Sequence, residues 1–261
     1  MLDKDPMKSS VVAVILSFPK KLLSAFLSKF IFKFLKILKW MLISALVFYF
    51  VLLITFRWLP LPTSAFIWNQ NQMAAQQPRI YKTARYEWIN WEDISPEIAL
   101  AVIAAEDQRF PTHWGIDTIE LGKVLSSAYE GKASIRGAST LTQQLAKNLF
   151  LWNDRSYARK VLEAFIAMSL ELVWSKKRIL EVYLNVAQFA DVTFGVKAAS
   201  KRLFRKEPMA LTREQAAYLA AVLPTPAKSE IHNPSESLKK RQRWILKQMK
   251  QLGGVAYLKK L

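Results

Sequence analysis

The sequence predicts a mainly α-helical protein in which one membrane-spanning helix precedes a helical domain. Three observations support this class. Residues 40–56 form an apolar run without a charge, helix-start signals recur after residue 80, and the period-two alternation typical of strands is scarce. The length of 261 residues is enough for one domain of ordinary size with an added anchor.

The apolar run is near the lower limit of the roughly 17 to 25 residues that span a bilayer as a helix. Trp40 and Trp58 stand at its two ends, where interfacial tryptophans are common, and lysines crowd its N-terminal side. We therefore expect a transmembrane signal-anchor helix over residues 40–57, a basic cytoplasmic segment over residues 1–39, and an outward-facing remainder. A cleaved signal peptide is the alternative, but no clear Ala-x-Ala site follows the run.

Three further segments complete the predicted organisation. Residues 22–39 alternate apolar side chains with lysines at helical spacing, which is typical of an amphipathic helix on the inner membrane surface. Prolines and amide side chains without an apolar period indicate a juxtamembrane connector over residues 58–80. The soluble domain is predicted over residues 81–261, with a short hairpin near residues 81–91.

Helix-start signals define the domain's elements. Ser95 and Pro96 are typical of an N-cap and a first helical position, and the apolar helix that follows should reach Glu106. Thr140 and Gln143 have the spacing of a capping box, in a helix predicted to end near Phe150. Later starts are expected at Asp154 or Ser156, at Ser175, and at Thr212 with Gln215.

The formal net charge of +18 favours polyanionic partners such as nucleic acid, anionic lipid headgroups or phosphorylated substrates. The basic residues beside the apolar run suit a membrane anchor, whereas a nucleic-acid binder has no need of that neighbour. The chain has no cysteine and only two histidines, which lie far apart in the sequence. Thiolate metal sites are therefore excluded, and a histidine-rich zinc site is implausible.

Glu106 and Asp107 are adjacent carboxylates at the end of the helix that begins after Ser95. A helix C-terminus and a neighbouring like charge both favour the protonated form, so the pKa of Glu106 should be raised. Such a carboxylate can serve as a general base near neutral pH. An ordinary exposed acidic helix end has the same spacing, and from spacing alone it is the better interpretation.

The helix that starts at Thr140 is the second candidate. Small residues precede it, so its first backbone N–H groups suit a phosphate, and its polar side chains recur every three or four residues. A capped surface helix with polar decoration is the alternative. The candidates for binding sugar and diphosphate are Ser139, Thr140, Gln143, Gln144, Lys147 and Asn148.

A cationic cluster with a second carboxylate follows. Arg155, Arg159 and Lys160 precede Glu163, and the four-residue spacing of Arg159 and Glu163 is that of a simple surface ion pair. In the functional interpretation the cations bind phosphate and Glu163 is a second active-site carboxylate. From these residues alone both interpretations stay open.

Together these segments resemble the family 51 peptidoglycan glycosyltransferases over roughly residues 80–250, and more closely the monofunctional members from Gram-negative bacteria. Five motifs of that family occur in order. They are Glu106-Asp107-x-x-Phe110-x-x-His113-x-Gly115; Gly137-Ala138-Ser139-Thr140-x-x-Gln143-Gln144-x-x-Lys147-Asn148; Arg159-Lys160-x-x-Glu163; Arg178-Ile179-Leu180-Glu181-x-Tyr183-Leu184-Asn185; and Ala220-Ala221-x-Leu223-Pro224-x-Pro226.

The resemblance implies a bilobed, lysozyme-like fold and polymerisation of lipid II into β-1,4-linked glycan with release of undecaprenyl diphosphate. It implies that Glu106 is the base, that Lys147, Arg155 and Lys160 hold the donor diphosphate, and that Glu163 assists its departure. No metal ligand is predicted, although Mg²⁺ or Mn²⁺ is an optional cofactor. The implied partners are lipid II, the growing glycan, inner-membrane lipids and other proteins of wall synthesis or division, but no nucleic acid.

Two other functions compete with this one. A lytic transglycosylase or lysozyme-type hydrolase shares the broad fold and a catalytic glutamate, but it has no diphosphate for the cations around Glu163 to stabilise. A membrane scaffold for wall-synthesis proteins is the non-enzymatic alternative. The resemblance favours an inner-membrane, single-pass enzyme with a cytoplasmic N-terminus and a periplasmic catalytic domain.

Overall fold

The structure, a computed structural model, describes residues 20–131, 139–154, 156–226 and 233–261. The chain divides into two compact units, Met1–Leu52 and Leu53–Leu261. The prediction of a mainly α-helical protein is confirmed.

The α-helices are α1 (Lys20–Thr55), α2 (Ala65–Gln76), α3 (Pro96–Glu106), α4 (Thr118–Tyr129), α5 (Leu141–Phe150), α6 (Tyr157–Val173), α7 (Lys176–Val186), α8 (Val196–Phe204), α9 (Arg213–Val222) and α10 (Glu236–Gln251). Short 3₁₀ helices cover Trp91–Asp93, Phe110–Thr112, Pro208–Ala210 and Gly254–Lys260.

Helix α1 joins the predicted surface helix and the predicted span in one continuous element. Neither glycine nor proline interrupts its sequence, so nothing in it favours a break between the two segments. The stretch Leu27–Thr55 is long and apolar enough to cross a membrane, and nearly all of it is exposed. Its 29 residues extend about 43 Å at 1.5 Å per residue. An exposed apolar helix of this length is compatible with a single-pass membrane anchor.

The helices of the second unit pack in two groups. One group, the α3 group, contains α3, α9, α10 and the C-terminal 3₁₀ helix Gly254–Lys260. The other, the α5 group, contains α5 with its neighbours α2, α6 and α7. Helix α3 is the central element of its group, because its residues Ile98–Ala104 are all fully buried. The two groups agree with the two lobes that the resemblance implies.

The predicted helix starts are confirmed by their capping contacts. The Ser95 side chain accepts a hydrogen bond from the backbone N–H of Glu97, and Pro96 is the first residue of α3. Complete capping boxes open α5 at Thr140 and α9 at Thr212. Of the two candidates for the start of α6, Ser156 is the cap. Because these signals depend on residues three apart, the local sequence is enough to find them.

The hairpin expected near residues 81–91 is wrong. Strand β1 (Arg85–Tyr86) instead pairs in parallel with β3 (Thr193–Phe194), which pairs antiparallel with β2 (Gln188–Ala190). The partner of β1 lies about a hundred residues further along the chain, so no local pattern could reveal it. After β3 the backbone of Gly195 takes φ +81°, and a Cβ there would collide with the Asn185 carbonyl.

The predicted connector contains a helix that is fixed to the domain. The Ser64 side chain caps α2, and Ile67 and Ala74 are buried beneath it. Gln70 Nε2 donates to the carbonyl of Lys82 at 2.7 Å, and Asn71 Oδ1 accepts from the backbone of residue 84 at 2.9 Å. The amide-rich sequence gives α2 no clear apolar period, which is why the sequence indicated a linker there.

Candidate active site

Glu106 is the last residue of α3 and meets side chains from both helix groups. Gln144 of α5 donates from Nε2 to Glu106 Oε2 at 2.8 Å. Arg241 of α10 donates from Nη2 to Glu106 Oε1 at 2.8 Å. The carboxylate therefore lies where the α3 group and the α5 group face each other.

Burial is the main electrostatic influence on this carboxylate, and it raises the pKa of Glu106 because a charged carboxylate loses hydration there. The hydrogen bonds from Gln144 and Arg241, and the positive charge of Arg241, act in the opposite direction. The charge of Asp107 adds a smaller rise. The sequence predicted the direction of the shift but attributed it to the helix end and Asp107, whereas desolvation is the larger cause.

Tyr183 fixes the orientation of the Gln144 amide. Its hydroxyl donates to Gln144 Oε1 at 2.9 Å, which leaves the amide N–H₂ of Gln144 facing Glu106. Tyr183 is almost fully buried on α7. Burial and the nearby charge of Glu106 raise the pKa of the Tyr183 hydroxyl well above its usual range, so it stays a donor.

Asp107 ties the end of α3 to the start of α5. Its Oδ2 accepts from the backbone N–H of Leu141 at 2.9 Å, and His113 Nε2 lies 3.0 Å from both carboxylate oxygens. Both side chains are buried. Because Asp107 adjoins Glu106 and Leu141 begins the helix that carries Gln144, this contact holds the two partners of the Glu106–Gln144 bond in register.

Asp107, His113 and Asp117 also bring possible metal-ligand atoms within 4.8 Å of one another. Protein groups already use these oxygens. Asp117 caps the first turn of α4 and accepts from Arg109 Nε at 3.0 Å. The cluster therefore fits a structural polar network that joins α3, α4 and α5 better than it fits a metal site.

Glu163 is the second buried carboxylate, on α6, and it lies between two cations. Arg159 Nη1 forms an ion pair with its Oε1, and Lys160 Nζ donates to its Oε2 at 2.9 Å. Lys160 Nζ also donates to Ser139 Oγ at 2.7 Å. The start of α6 is thereby linked to the segment that leads into α5.

Lys147, Arg159 and Lys160 form one cationic cluster. Burial lowers the pKa of Lys147, and the charge of Arg159 lowers it further. The pKa of Lys160 falls for the same two reasons and also through Lys147. Like charges this close repel one another, so an anion placed among them relieves the repulsion and gains hydrogen-bond donors.

The remaining predicted binding residues have different environments. The hydroxyl of Thr140 donates to the Gly115 carbonyl at 2.5 Å, and Gln143 completes the capping box, so both are buried helix-start residues. Asn148 is half-buried on α5. Arg155 lies outside the described residues, as do Arg136, Gly137 and Ala138 of the predicted phosphate-type helix start.

One cavity contains the first carboxylate and is also lined by a residue that contacts the cationic cluster. It has a volume of about 370 Å³ and is lined by Glu106 and Ser139 together with Trp244 of α10. Ser139 accepts from Lys160 Nζ, so its side chain lies between the cavity and the cations around Glu163. A base at one side and anion-binding groups at the other suit transfer of a glycosyl group from a phosphorylated donor.

Arg241 was missed by the sequence analysis. It lies in the basic stretch that runs from Lys239 to Arg243, which looks like an ordinary solvated helix face. Its contact with Glu106 spans 135 positions, so the local pattern carries no signal for it. Tyr183 was quoted within a motif, but its bond to Gln144 was not anticipated.

Comparison with known proteins identifies the family. The sequence profile described as Transglycosylase matches residues 70–250. The chain belongs to the transglycosylase family. A biosynthetic peptidoglycan transglycosylase from Pectobacterium carotovorum subsp. carotovorum (strain PC1) is 48% identical over 207 residues, which cover 79% of this chain and 85% of that protein. A protein of the same description from Escherichia coli (strain K12) is 49% identical over 199 residues, which cover 76% of this chain and 82% of its own.

Membership of the transglycosylase family confirms the family that the five motifs predicted. It also confirms the predicted class, a glycosyltransferase of peptidoglycan synthesis. The residues of the matched segment include Glu106, Gln144, Tyr183, Glu163 and Arg241. Every contact of the two carboxylates described above therefore falls inside the family's own domain.

Proposed function

We propose that the chain polymerises lipid II, taking the growing glycan as donor and a fresh lipid II molecule as acceptor, and releases undecaprenyl diphosphate. The observation that carries this proposal is the cavity at Glu106, a carboxylate of raised pKa, because its lining residue Ser139 is hydrogen-bonded to Lys160 of the cationic cluster. A hydrolase that cleaves finished glycan needs the carboxylate but has no diphosphate for the cations to bind.

In the proposed reaction Glu106 takes the proton from the acceptor sugar's 4-hydroxyl. The freed oxygen attacks the donor's anomeric carbon, and the bond from that carbon to the diphosphate oxygen breaks. The attack inverts the anomeric centre and leaves a β-1,4 link. Gln144 and Arg241 hold the carboxylate oxygens in position, and Tyr183 keeps the amide of Gln144 turned toward them.

The leaving diphosphate gathers negative charge as that bond breaks, and preorganised cations stabilise such charge. We assign this role to Lys147 and Lys160, with Arg159 and Glu163 holding the cluster together. Arg155 has the same assignment by its family motif alone. Ser139 positions Lys160, while Thr140 and Gln143 serve the reaction by fixing the start of α5.

The proposed location is the inner membrane, with the N-terminus in the cytoplasm and the catalytic unit in the periplasm. The apolar helix and the lysines before it support this orientation. Lipid II, the glycan chain and membrane lipids are the proposed partners, together with other wall-synthesis or division proteins. Stimulation by Mg²⁺ or Mn²⁺ stays a prediction, which a polymerisation assay with and without a chelator checks.

The test is incubation of the full-length protein with lipid II in detergent or vesicles, and separately with finished peptidoglycan. We expect glycan polymer and released polyprenyl diphosphate from the first substrate and no soluble fragments from the second. Fragmentation of finished wall without polymer would show a lytic enzyme instead. If neither substrate reacts while the protein remains folded, a scaffold role replaces the proposed activity.

A further inference from the structure

A second cavity, of about 590 Å³, lies between α2 and the turn that joins α5 to α6. Aromatic and sulfur side chains form much of its wall. Phe66, Trp68 and Met73 come from α2, Phe150 is the last residue of α5, and Trp152 lies in the turn. Its volume is within the range of about 300 to 1,000 Å³ that is usual for ligand pockets with mainly apolar walls.

The wall formed by α2 is held firmly by the rest of the second unit. Ile67 on its inner side is almost fully buried. Gln70 and Asn71 bond to the backbone just before β1, at 2.7 and 2.9 Å. Trp68 and Trp152 are nevertheless about half exposed, so two large indole rings border the cavity without a full set of protein neighbours. A preformed aromatic groove of this kind suits an apolar ligand.

The cavity begins where the cationic cluster ends. Lys147 Nζ lies 5.4 Å from the centroid of the Phe66 ring. Phe150 and Trp152 follow Lys147 on the same stretch of chain, at the C-terminal end of α5. An anionic group held by Lys147 would therefore have the aromatic cavity as its neighbour on that side.

The position of the leaving group in the proposed reaction indicates which ligand the groove binds. An inverting displacement needs the attacking oxygen and the leaving oxygen on opposite sides of the anomeric carbon. Gln144 contacts the base Glu106, and Lys147 lies about 4.5 Å further along α5 at the helical rise per residue. The leaving diphosphate therefore points toward the C-terminal end of α5, and the hydrocarbon attached to it continues beyond Lys147.

We propose that this groove binds the first isoprene units of the polyprenyl chain, next to the diphosphate of the lipid-linked donor. The inference rests on the proposed function, because it takes Lys147 as a diphosphate ligand. Its α2 wall begins at Ala65, ten residues after α1 ends at Thr55, and so lies close in sequence to the end of the candidate membrane span. Part of this wall, residues 65–69, precedes the segment matched by the family profile.

The groove also carries amide side chains and one carboxylate, from Asn69, Gln188 and Asp154 among others. Amides beside aromatic rings could equally contact sugar hydroxyls, which makes a glycan strand the competing occupant. The position of the groove on the leaving-group side favours the hydrocarbon. The probes below separate the two ligands.

The experiment measures binding of inorganic diphosphate, farnesyl diphosphate and a lipid-free glycan fragment to the full-length protein in detergent. We expect farnesyl diphosphate to bind roughly ten-fold or more tightly than inorganic diphosphate, since a few added apolar groups are worth that much in a fitting pocket. Trp152→Ala should reduce this ratio several-fold and leave binding of inorganic diphosphate unchanged. Trp114→Ala, at a more exposed tryptophan outside the groove, is the control for the loss of an indole ring and should keep the ratio.

The outcomes separate the inference from the proposed function. If inorganic diphosphate does not bind, or if Lys147→Ala leaves its binding unchanged, the diphosphate site itself is wrong. If diphosphate binds through Lys147 but the three isoprene units of farnesyl diphosphate add no affinity, only the groove assignment is overturned. Weaker binding of the glycan fragment in Trp152→Ala, with the farnesyl ratio intact, would assign the groove to glycan.

Discussion

Glu106 and Glu163 are both largely buried carboxylates of the candidate site, yet their neighbours differ in kind. The partners of Glu106 are a neutral amide, from Gln144, and the partly exposed guanidinium of Arg241. Glu163 instead lies between Arg159 and Lys160 at the start of α6. The same side chain therefore meets mainly desolvation in one place and two opposite charges in the other.

This difference suggests how one site divides two tasks between identical side chains. Desolvation raises the pKa of Glu106 and makes its carboxylate a better proton acceptor. Glu163 instead pairs with two cations, and we assign it the role of keeping those cations together for a diphosphate. A substitution at each glutamate tests its assigned role separately.

Glu106→Gln should have the largest effect. The amide keeps the shape but cannot accept a proton, and loss of a general base commonly costs about 10²- to 10⁴-fold in rate. We expect lipid II polymerisation to fall by at least about 100-fold while the melting temperature stays close to that of the wild type. The matched control is Glu97→Gln, near the start of the same helix, whose ion pair with Arg213 lies at the surface. Polymerisation at the wild-type rate would remove Glu106 as the base.

Lys147→Ala should have the next largest effect, because it removes a donor aimed at the charge that develops on the leaving group. Loss of one such donor costs roughly 10²-fold in kcat in comparable sites. Lys147→Arg keeps the charge and should recover part of the rate. The measurement is steady-state release of polyprenyl diphosphate, and a change confined to KM would show that Lys147 binds the ground state only.

Glu163→Gln tests the other half of the comparison. It should lower the rate by roughly ten-fold, less than Glu106→Gln, because the cations remain but lose the carboxylate that fixes them. Binding of inorganic diphosphate should persist in this variant, since each cation is still present. A loss as complete as that of Glu106→Gln would mean that Glu163 takes part in proton transfer, and the division of tasks would fail.

The sequence predicted the helix starts, and it named Glu106, Gln144 and Glu163 as candidate site residues, because caps and motifs are local. Thr140 with Gln143, and Glu163 with Arg159, are examples in which three or four positions carry the whole signal. The contacts that join different helices, such as Gln144 with Glu106 and Lys160 with Ser139, could not be predicted.

Contacts between distant segments of the chain could not be predicted from the sequence. The Glu106–Arg241 bond, the strand pair β1–β3 and the packing of α2 against the domain each join parts of the chain that have no shared local pattern. The main cause of the raised Glu106 pKa could not be predicted either. That cause is burial, and burial depends on contacts with distant segments of the chain. The charge of the adjacent Asp107, by contrast, was visible in the sequence, but it contributes less to the rise of the Glu106 pKa than burial does.

The smallest expected effect is a shift in pH dependence when Arg241 is replaced. A base must be ionised to act, so activity should fall as the pH drops through the pKa of Glu106, at a pH above the value of about 4.3 for an ordinary glutamate. The Arg241 charge stabilises the ionised form and lowers this pKa. Arg241→Ala should therefore raise the pKa of Glu106 and move the acidic limb of the kcat/KM profile to higher pH.

Two further variants sharpen this last prediction. Arg241→Lys retains a positive charge and should shift the limb less than Arg241→Ala. Arg243→Ala removes an exposed cation two residues further along α10 and should leave the limb in place, because side chains two apart do not share a helix face. If Arg243→Ala moves the limb as far as Arg241→Ala, then the net charge of α10 and not the 2.8 Å contact with Glu106 sets the ionisation of the base. If Arg241→Ala moves the limb to lower pH, then Arg241 does not stabilise the ionised form of Glu106 at all. The contrast between the two glutamates would then rest on burial alone.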